Sequence, residues 1–147
     1  MKRFRFPLDA LIKVRQVKVD EARLKLAETE RSRLREEELI MEISKKIEEV
    51  AEQSGRSGAI DAVSLAAEQD YVGHLRAERE RALSRLERWI ALVEKDRKRL
   101  LEARRDLEAL ERLREKRYLE FVREVLREEM KEIDEAASVR HARKEAA

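Results

Sequence analysis

Ser54-Gly55-Arg56-Ser57-Gly58 is the stretch that decides the fold, because two of the three glycines in the chain lie within it. Glycine loses the most backbone entropy on folding and readily adopts positive φ, so two glycines this close in a run of helix formers favour a reversal of direction. We therefore predict an all-α fold in which two long helices form an antiparallel coiled-coil hairpin. The predicted bounds are 7–53 for the first helix, 54–60 for the turn and 61–140 for the second helix, within a single elongated domain of residues 1–147.

The composition is typical of long helices rather than of a globule. Charged residues make up 46% of the 147 residues and aromatic residues only 4%, so the core is expected to be a narrow seam. The absence of cysteine excludes a disulfide framework and a thiolate metal site, and it fits a reducing cytosol. No window has the apolar length of a membrane span, and charged residues interrupt every apolar run near the N-terminus. We therefore expect a cytoplasmic protein.

Both predicted helices carry a heptad seam, in which apolar residues recur at alternating steps of three and four. In the first helix the middle of the seam is polar, which weakens packing but helps to fix the register. The first seam consists of Val19, Ala22, Leu26, Thr29, Arg33, Glu36, Ile40, Ile43, Ile47 and Val50. The second consists of Leu65, Glu68, Val72, Leu75, Arg79, Ala82, Leu86, Trp89, Val93, Asp96, Leu100, Ala103, Leu107 and Leu110.

Two local features modify the second helix. Gly73 costs about 1 kcal/mol relative to alanine, and we interpret it as a soft spot rather than as a site of close helix approach. Past Leu110 the seam shifts its phase, and this stutter turns the apolar stripe toward a different side. The residues of the shifted stripe are Leu113, Tyr118, Leu119, Phe121, Val122, Val125, Leu126, Met130 and Ile133.

A turn near residue 57 makes the two helices unequal in length. Facing residue numbers then add up to about 114, so the second helix is expected to lack a partner from about Glu111 onward, over roughly thirty residues or about 45 Å. Because soluble monomers rarely expose a long apolar stripe, we predict that this overhang binds another protein. The alternatives are that it packs against the N-terminal segment in a different register, or that it dimerises.

The sequence offers no catalytic, cofactor-binding or metal site. His74 and His141 are too far apart along helices to share a site with a nucleophile or an acid, and there is no phosphate-binding loop. Trp89 is interpreted as a seam residue. We therefore expect a protein that is not an enzyme, has no cofactor and has no small-molecule substrate.

A basic belt between Lys95 and Arg105 raises the alternative of a nucleic-acid-binding rod. Acidic residues interrupt this belt, and aromatic residues are too scattered to stack on bases, so nucleic acid is not the expected partner. A generic homodimeric scaffold is a further alternative.

The two ends of the chain carry the motifs of a known family. The opening Phe4-x-Phe6-x-Leu8-x-x-Leu11-x-x-x-Arg15 followed by Glu21, the glycine break, Tyr71 with Leu75, and the closing Ile133-Asp134-Glu135-Ala136-Ala137-x-x-Arg140 resemble the FliJ family. Its members are soluble proteins of the bacterial flagellar type III export apparatus, and the likeness covers the whole chain.

The resemblance implies a non-catalytic coiled-coil stalk, similar to the central γ subunit of rotary ATPases, that inserts into the hexameric export ATPase and promotes its assembly and ATP hydrolysis. Such a stalk acts singly inside a sixfold ring and is expected to be monomeric when free. It also implies contact with the membrane-embedded export gate and with export chaperones, and therefore peripheral association with the inner-membrane export apparatus. The residues implied in binding the ATPase ring are Phe4, Phe6, Leu8, Leu11, Arg15, Tyr118, Phe121, Val125, Asp134, Glu135 and Arg140. Those implied in docking to the gate are Leu39, Ile43, Lys46, Tyr71 and Leu75.

Overall fold

The computed structural model describes residues 2–56 and 61–147. Within these ranges the chain forms two helices and no strand, with α1 spanning Asp9–Arg56 and α2 spanning Ala62–Glu145. The helices pack antiparallel to one another, so the predicted all-α hairpin is confirmed.

The first helix begins at Asp9, just after the proline. Pro7 and Leu8 form a turn, in which the amide of Asp9 donates to the carbonyl oxygen of Phe6 at 3.2 Å. Proline fixes φ and lacks an amide hydrogen, so it is well placed immediately before a helix. The carboxylate of Asp9 also lies in the first turn, where a negative charge interacts favourably with the helix dipole.

The first helix continues through part of the predicted turn. Ser54, Gly55 and Arg56 are helical, so α1 ends three residues later than predicted, while residues 57–60 lie outside the described residues. Neither of the described glycines has a positive φ. Glycine lowers helix stability by only about 1 kcal/mol relative to alanine, and a helix with a packed seam tolerates that cost.

The second helix begins after Asp61, whose carbonyl oxygen accepts a hydrogen bond from the amide of Leu65 at 2.9 Å. Asp61 is thus the residue at the helix N-cap. A methyl group added at Gly73 would meet no atom within 4 Å, so no close helix approach requires glycine there.

The chain divides into two compact units. The hairpin unit consists of Asp20–Glu102, and the terminal unit consists of Met1–Val19 with Ala103–Ala147. Each helix contributes to both units, and the expectation of a single domain stays a prediction.

In the hairpin unit the core is the predicted heptad seam. All predicted seam positions of α1 from Ala22 to Val50 are buried or half-buried, as are those of α2 from Glu68 to Leu100. Ile43, Leu75, Ala82 and Val93 are its most deeply buried apolar residues. The period of the apolar residues therefore determined the packed faces of both helices.

The register of the helix pair differs from the prediction. Arg85 Nε donates to Glu36 Oε1 at 2.8 Å, and Ser54 Oγ donates to Glu68 Oε2 at 3.0 Å. The residue numbers of these facing pairs add up to about 122, whereas about 114 was expected. The prediction was wrong by about one heptad, because α1 does not end at the first glycine.

A polar layer interrupts the seam of the hairpin unit. Thr29 and Asp96 are buried, and Arg33 and Glu36 are half-buried. The Thr29 hydroxyl donates to backbone carbonyl oxygens in the preceding turn of α1. In contrast, neither carboxylate oxygen of Asp96 makes a hydrogen bond, and Arg99 Nη1 lies 3.9 Å from Oδ1. The seam therefore contains a carboxylate whose hydrogen-bonding capacity is unsatisfied.

In the terminal unit the N-terminal part of the chain covers more of α2 than predicted. Arg15 Nη1 lies 3.3 Å from Asp106 Oδ2, and Arg114 Nε lies 3.0 Å from Asp9 Oδ1. Pairing therefore continues past Glu111, the point from which the second helix was expected to lack a partner.

The predicted overhang from Glu111 was accordingly wrong for its first part. Residues 113–125 include several half-buried side chains, and the alternative that they pack against the N-terminal segment in a different register is correct. The phase shift after Leu110 is present, because Leu113 is half-buried while Arg114, the next residue of an unbroken heptad, is exposed. From Leu126 onward every residue is exposed.

Candidate partner-binding surface

The N-terminal strap, residues 2–8, precedes α1 and packs against α2 through aromatic rings. The Phe4 centroid lies 5.3 Å from that of Tyr118 and 5.6 Å from that of Phe121, at interplanar angles of 74° and 46°. The Arg114 guanidinium lies 5.7 Å from the centre of the Phe4 ring, and Phe6 is buried. Such aromatic pairs contribute about 0.5–1.5 kcal/mol each beyond the area they bury. The rings therefore hold the strap on α2.

An ion pair holds the beginning of the strap. Lys2 Nζ donates to Glu128 Oε1 at 2.8 Å, and both side chains are largely exposed. This hydrogen bond raises the pKa of Lys2 and lowers that of Glu128, and the opposite charges act in the same directions. Because exposed ion pairs contribute little to stability, the pair orients the strap but adds little to the free energy that holds it on α2.

An open groove lies between the strap and α2, with a cavity volume of about 560 Å³. Its lining combines apolar side chains with three arginines and two glutamates, an arrangement that suits a partner segment carrying both apolar and charged groups. Its lining residues are Arg3, Phe4, Arg5, Phe6, Pro7, Leu8, Leu113, Arg117, Glu120, Phe121 and Glu124.

The exposed C-terminal segment, residues 126–145 of α2, carries an apolar stripe that no other described part of the chain covers. Leu126, Met130 and Ile133 are 54%, 59% and 62% exposed. Their spacing of four and three residues puts them on one face of the helix. Acidic residues dominate around the stripe, whereas basic residues follow from Arg140 onward.

The structure brings together only some of the residues implied in ATPase binding. Phe4, Phe6 and Leu8 of the strap lie beside Tyr118 and Phe121. The others are distributed along the terminal unit. Leu11 and Arg15 follow on α1, Val125 is half-buried at the end of the covered part of α2, and Asp134, Glu135 and Arg140 are exposed on the C-terminal segment.

Three residues of this surface were not predicted from the sequence. Lys2, Arg114 and Glu128 form the ion pairs and the cation–ring contact that position the strap. The signal that indicates them is charge complementarity between a basic N-terminus and the acidic stretch 118–138. This charge complementarity can be recognised only with the correct register, because the predicted register left residues beyond Glu111 without a partner.

The residues implied in gate docking lie in the hairpin unit and differ in exposure. Ile43 and Leu75 are 3% and 6% exposed, so their side chains pack in the seam. Leu39, Lys46 and Tyr71 are exposed. Of these five residues, Leu39, Lys46 and Tyr71 are therefore the ones accessible to a partner.

The basic belt is partly neutralised within the hairpin unit. Arg97 Nη2 lies 3.4 Å from Glu30 Oε1, and Arg99 lies beside Asp96. Paired guanidinium groups are less available to phosphates than free ones, which weakens the nucleic-acid alternative.

Among the described residues no group of histidine and carboxylate side chains has the geometry to hold a metal ion. His141 Nε2 lies 3.7 Å from Glu145 Oε1 one turn later in α2. No described helix combines the length and hydropathy needed to cross a membrane.

Comparisons with known proteins identify the family. The family model described as Flagellar FliJ protein matches residues 4–146, which is essentially the whole chain. A search of curated proteins and a search of solved structures each found no match. Since the match includes both the strap and the exposed C-terminal segment, the chain belongs to the FliJ family and is a component of the flagellar export apparatus.

Proposed function

We propose that this protein is a non-catalytic stalk that binds the hexameric flagellar export ATPase through its terminal unit. The observation that carries the proposal is the apolar stripe of Leu126, Met130 and Ile133, which is exposed directly after the part of α2 that the strap covers. Long apolar stripes on soluble proteins mark partner surfaces, and an amphipathic helix binds through residues at this spacing.

The proposed contact surface has a fixed part and an uncovered part. The strap and residues 113–125 form the fixed part, because aromatic contacts already order them in the free chain. Residues 126–145 form the uncovered part and bury their stripe on the partner. A preordered surface loses less conformational entropy on binding, so the fixed part favours affinity.

The stalk promotes ring assembly and ATP hydrolysis without contributing a catalytic group. A ligand shifts a conformational equilibrium only by its difference in affinity for the two states. The stalk therefore acts by binding one conformation of the ring more tightly than another. The residues proposed to touch the ring are Phe4, Leu8, Leu11, Arg15, Tyr118, Phe121, Val125, Asp134, Glu135 and Arg140, with Phe6 holding the strap.

The hairpin unit is proposed to connect the ATPase to the export gate. Tyr71, with Leu39 and Lys46, offers an exposed aromatic and aliphatic surface with one positive charge. Tyrosine is common at the centre of interfaces, because it combines a large apolar ring with a hydrogen-bonding hydroxyl. Export chaperones are proposed as further partners of this component, and the protein acts as a monomer at the cytoplasmic side of the inner membrane.

The ATPase-binding proposal is tested by mixing the purified protein with the export ATPase of its organism and measuring ATP hydrolysis and co-purification. Replacement of Met130 and Ile133 together by glutamate is expected to weaken binding at least about tenfold, because two charges would face an apolar partner surface. The matched control replaces Leu24 and Met41 by glutamate, since these residues are 68% and 71% exposed on α1 of the hairpin unit. Equal loss in both variants, or stimulation that is unchanged in the first, contradicts the proposal.

The gate contact has a separate test. Binding of the full chain to the cytoplasmic domain of the gate protein is expected to be lost in Tyr71→Ala and retained in Met130→Ala. The reverse pattern would assign the gate to the terminal unit instead.

A further inference from the structure

Two charged residues of the hairpin seam have opposite signs, and each has a buried atom that makes no hydrogen bond. Asp96 is 1% exposed, neither of its oxygens makes a hydrogen bond, and Arg99 lies 3.9 Å away. The half-buried Arg33 has a buried Nε without a hydrogen bond, and its ion pair with Glu37 Oε1 is 3.7 Å long. A buried polar group without a hydrogen bond is costly, so the register seen here is not ideal for this sequence.

The observed register places charged seam residues opposite apolar ones. Because facing residue numbers add up to about 122, Asp96 is level with Leu26. The same register aligns Arg33 with Trp89, Glu36 with Leu86 and Arg79 with Ile43. Charged and apolar residues are thus level with each other at four positions of the seam.

A slide of one heptad removes half of these mismatches. Since the seam repeats every seven residues, a shift of seven keeps every seam residue in the seam. Facing numbers then add up to about 129, and Arg33 becomes level with Asp96. The mismatches that remain are Glu36 with Val93 and Arg79 with Val50.

Such a slide breaks polar contacts along α1. In the hairpin unit it breaks the ion pair of Arg85 with Glu36 and the hydrogen bond of Ser54 with Glu68. Because α1 is one helix, the slide also separates Arg15 from Asp106 and Asp9 from Arg114. Ion pairs at the surface contribute little to stability, and new pairs become possible in the shifted register. At the start of α2, residues 61–67 are all exposed, so unwinding the first turn there loses little packing.

We propose that α1 slides along α2 by one heptad in the hairpin unit, between the register described here and one in which Arg33 pairs with Asp96. The displacement is about 10 Å at 1.5 Å per residue. Discrete shifts of one packed helix along another are an established way for proteins to switch between two states. The proposal does not depend on the ATPase or the gate, and it is tested on the free protein.

The opposite slide of one heptad is the competing possibility. It makes Glu36 level with Arg79, but it leaves Asp96 level with Val19 and Arg33 level with Ala82. In that register the buried atoms of Asp96 and Arg33 gain no hydrogen-bond partner from the seam, so the slide toward the Arg33–Asp96 register is favoured.

Because the chain contains no cysteine, pairs of introduced cysteines report the register directly. Thr29→Cys is combined with Val93→Cys for the observed register, with Leu100→Cys for the proposed one and with Leu86→Cys for the opposite slide. Thr29→Cys with Leu75→Cys gives the collisional background. In a glutathione buffer we expect disulfides in the first two pairs, and Asp96→Leu is expected to reduce the second at least about fivefold without reducing the first.

A second pair of introduced cysteines reports the proposed register independently, in case the Leu100→Cys variant misfolds. Ile47→Cys with Ala82→Cys becomes level only in the proposed register, and circular dichroism establishes that each reduced variant is helical. Arg33→Asp is expected to lower crosslinking of this pair, and adding Asp96→Arg is expected to restore it. The proposal is overturned if both reporter pairs stay at background, if Asp96→Leu leaves them unchanged, or if the Leu86 pair exceeds the Leu100 pair.

Discussion

The hairpin unit and the terminal unit bury their apolar residues in different ways. In the hairpin unit two helices share one heptad seam, and its weak point is an internal layer of charges. In the terminal unit aromatic rings of a non-helical strap cover α2, and the cover ends where the stripe of Leu126, Met130 and Ile133 begins. In the hairpin unit the apolar face of α2 packs on α1, whereas in the terminal unit part of that face has no partner among the described residues.

The largest expected effect distinguishes the seam from the uncovered stripe. Ile43→Ala is expected to lower the free energy of unfolding by about 2–5 kcal/mol, because a fully buried isoleucine leaves a cavity when it is truncated. Met130→Ala is the matched truncation on the exposed stripe and is expected to change it by less than about 0.5 kcal/mol. Urea unfolding followed by circular dichroism measures both, and similar losses would mean that the stripe is buried in solution.

The next largest effect is expected when the strap is weakened, and it shows whether the strap stabilises the terminal unit alone. Phe6→Ala is expected to weaken the local stability of the strap by about 3 kcal/mol, because a buried aromatic ring is removed. Amide hydrogen exchange of residues 113–125 should accelerate, while exchange of residues 28–53 should not change. Leu8→Ala is the control, since Leu8 is already exposed and should give a much smaller change. Acceleration throughout the chain would show that the two units unfold together.

A smaller effect of opposite sign is expected in the polar layer. Asp96→Leu should raise the free energy of unfolding by about 1–3 kcal/mol, because a buried carboxylate that makes no hydrogen bond is replaced by an apolar side chain in the seam. Glu94→Leu controls for added hydrophobicity, since Glu94 is exposed two residues earlier. Thermal unfolding of the two variants gives the comparison, and a destabilised Asp96→Leu would mean that the carboxylate has a partner in solution.

The smallest effect concerns the ion pair of the strap. The pKa of Glu128 is lowered from its ordinary value of 4.5, so the contribution of the pair is present above that value and is lost as the pH falls through the lowered pKa. The pKa of Lys2 is raised from 10.5, so the contribution is lost at the alkaline end as the pH rises through the raised pKa. An NMR titration of the Glu128 carboxylate should show a midpoint below 4.5 that moves up in Lys2→Ala. An unchanged midpoint would show that the strap does not lie on Glu128.

The sequence predicted the packed faces more accurately than the pairing of those faces. Apolar residues at alternating steps of three and four identify the buried side of a helix, because burial follows from the geometry of each helix alone. The register of the helix pair depends instead on the position of the turn, and α1 continues through Gly55 to Arg56. An error of about one heptad was enough to separate Phe4 from Tyr118 and to leave residues 113–125 without their cover. The contacts of the strap could thus be found only in the structure, whereas the exposed stripe at Met130 was predicted from the spacing of its apolar residues alone.

The contact between Lys2 and Glu128 also determines the order in which the chain can fold. The two residues are 126 positions apart in sequence, so almost the whole chain must be synthesised before the strap can find its place. Closing so large a loop is slow compared with forming helices and with pairing them next to a turn. The strap therefore leaves the ribosome well before its partner on α2 is made and is among the last segments to dock, and until then Phe4 and Phe6 remain open to other proteins that bind apolar segments.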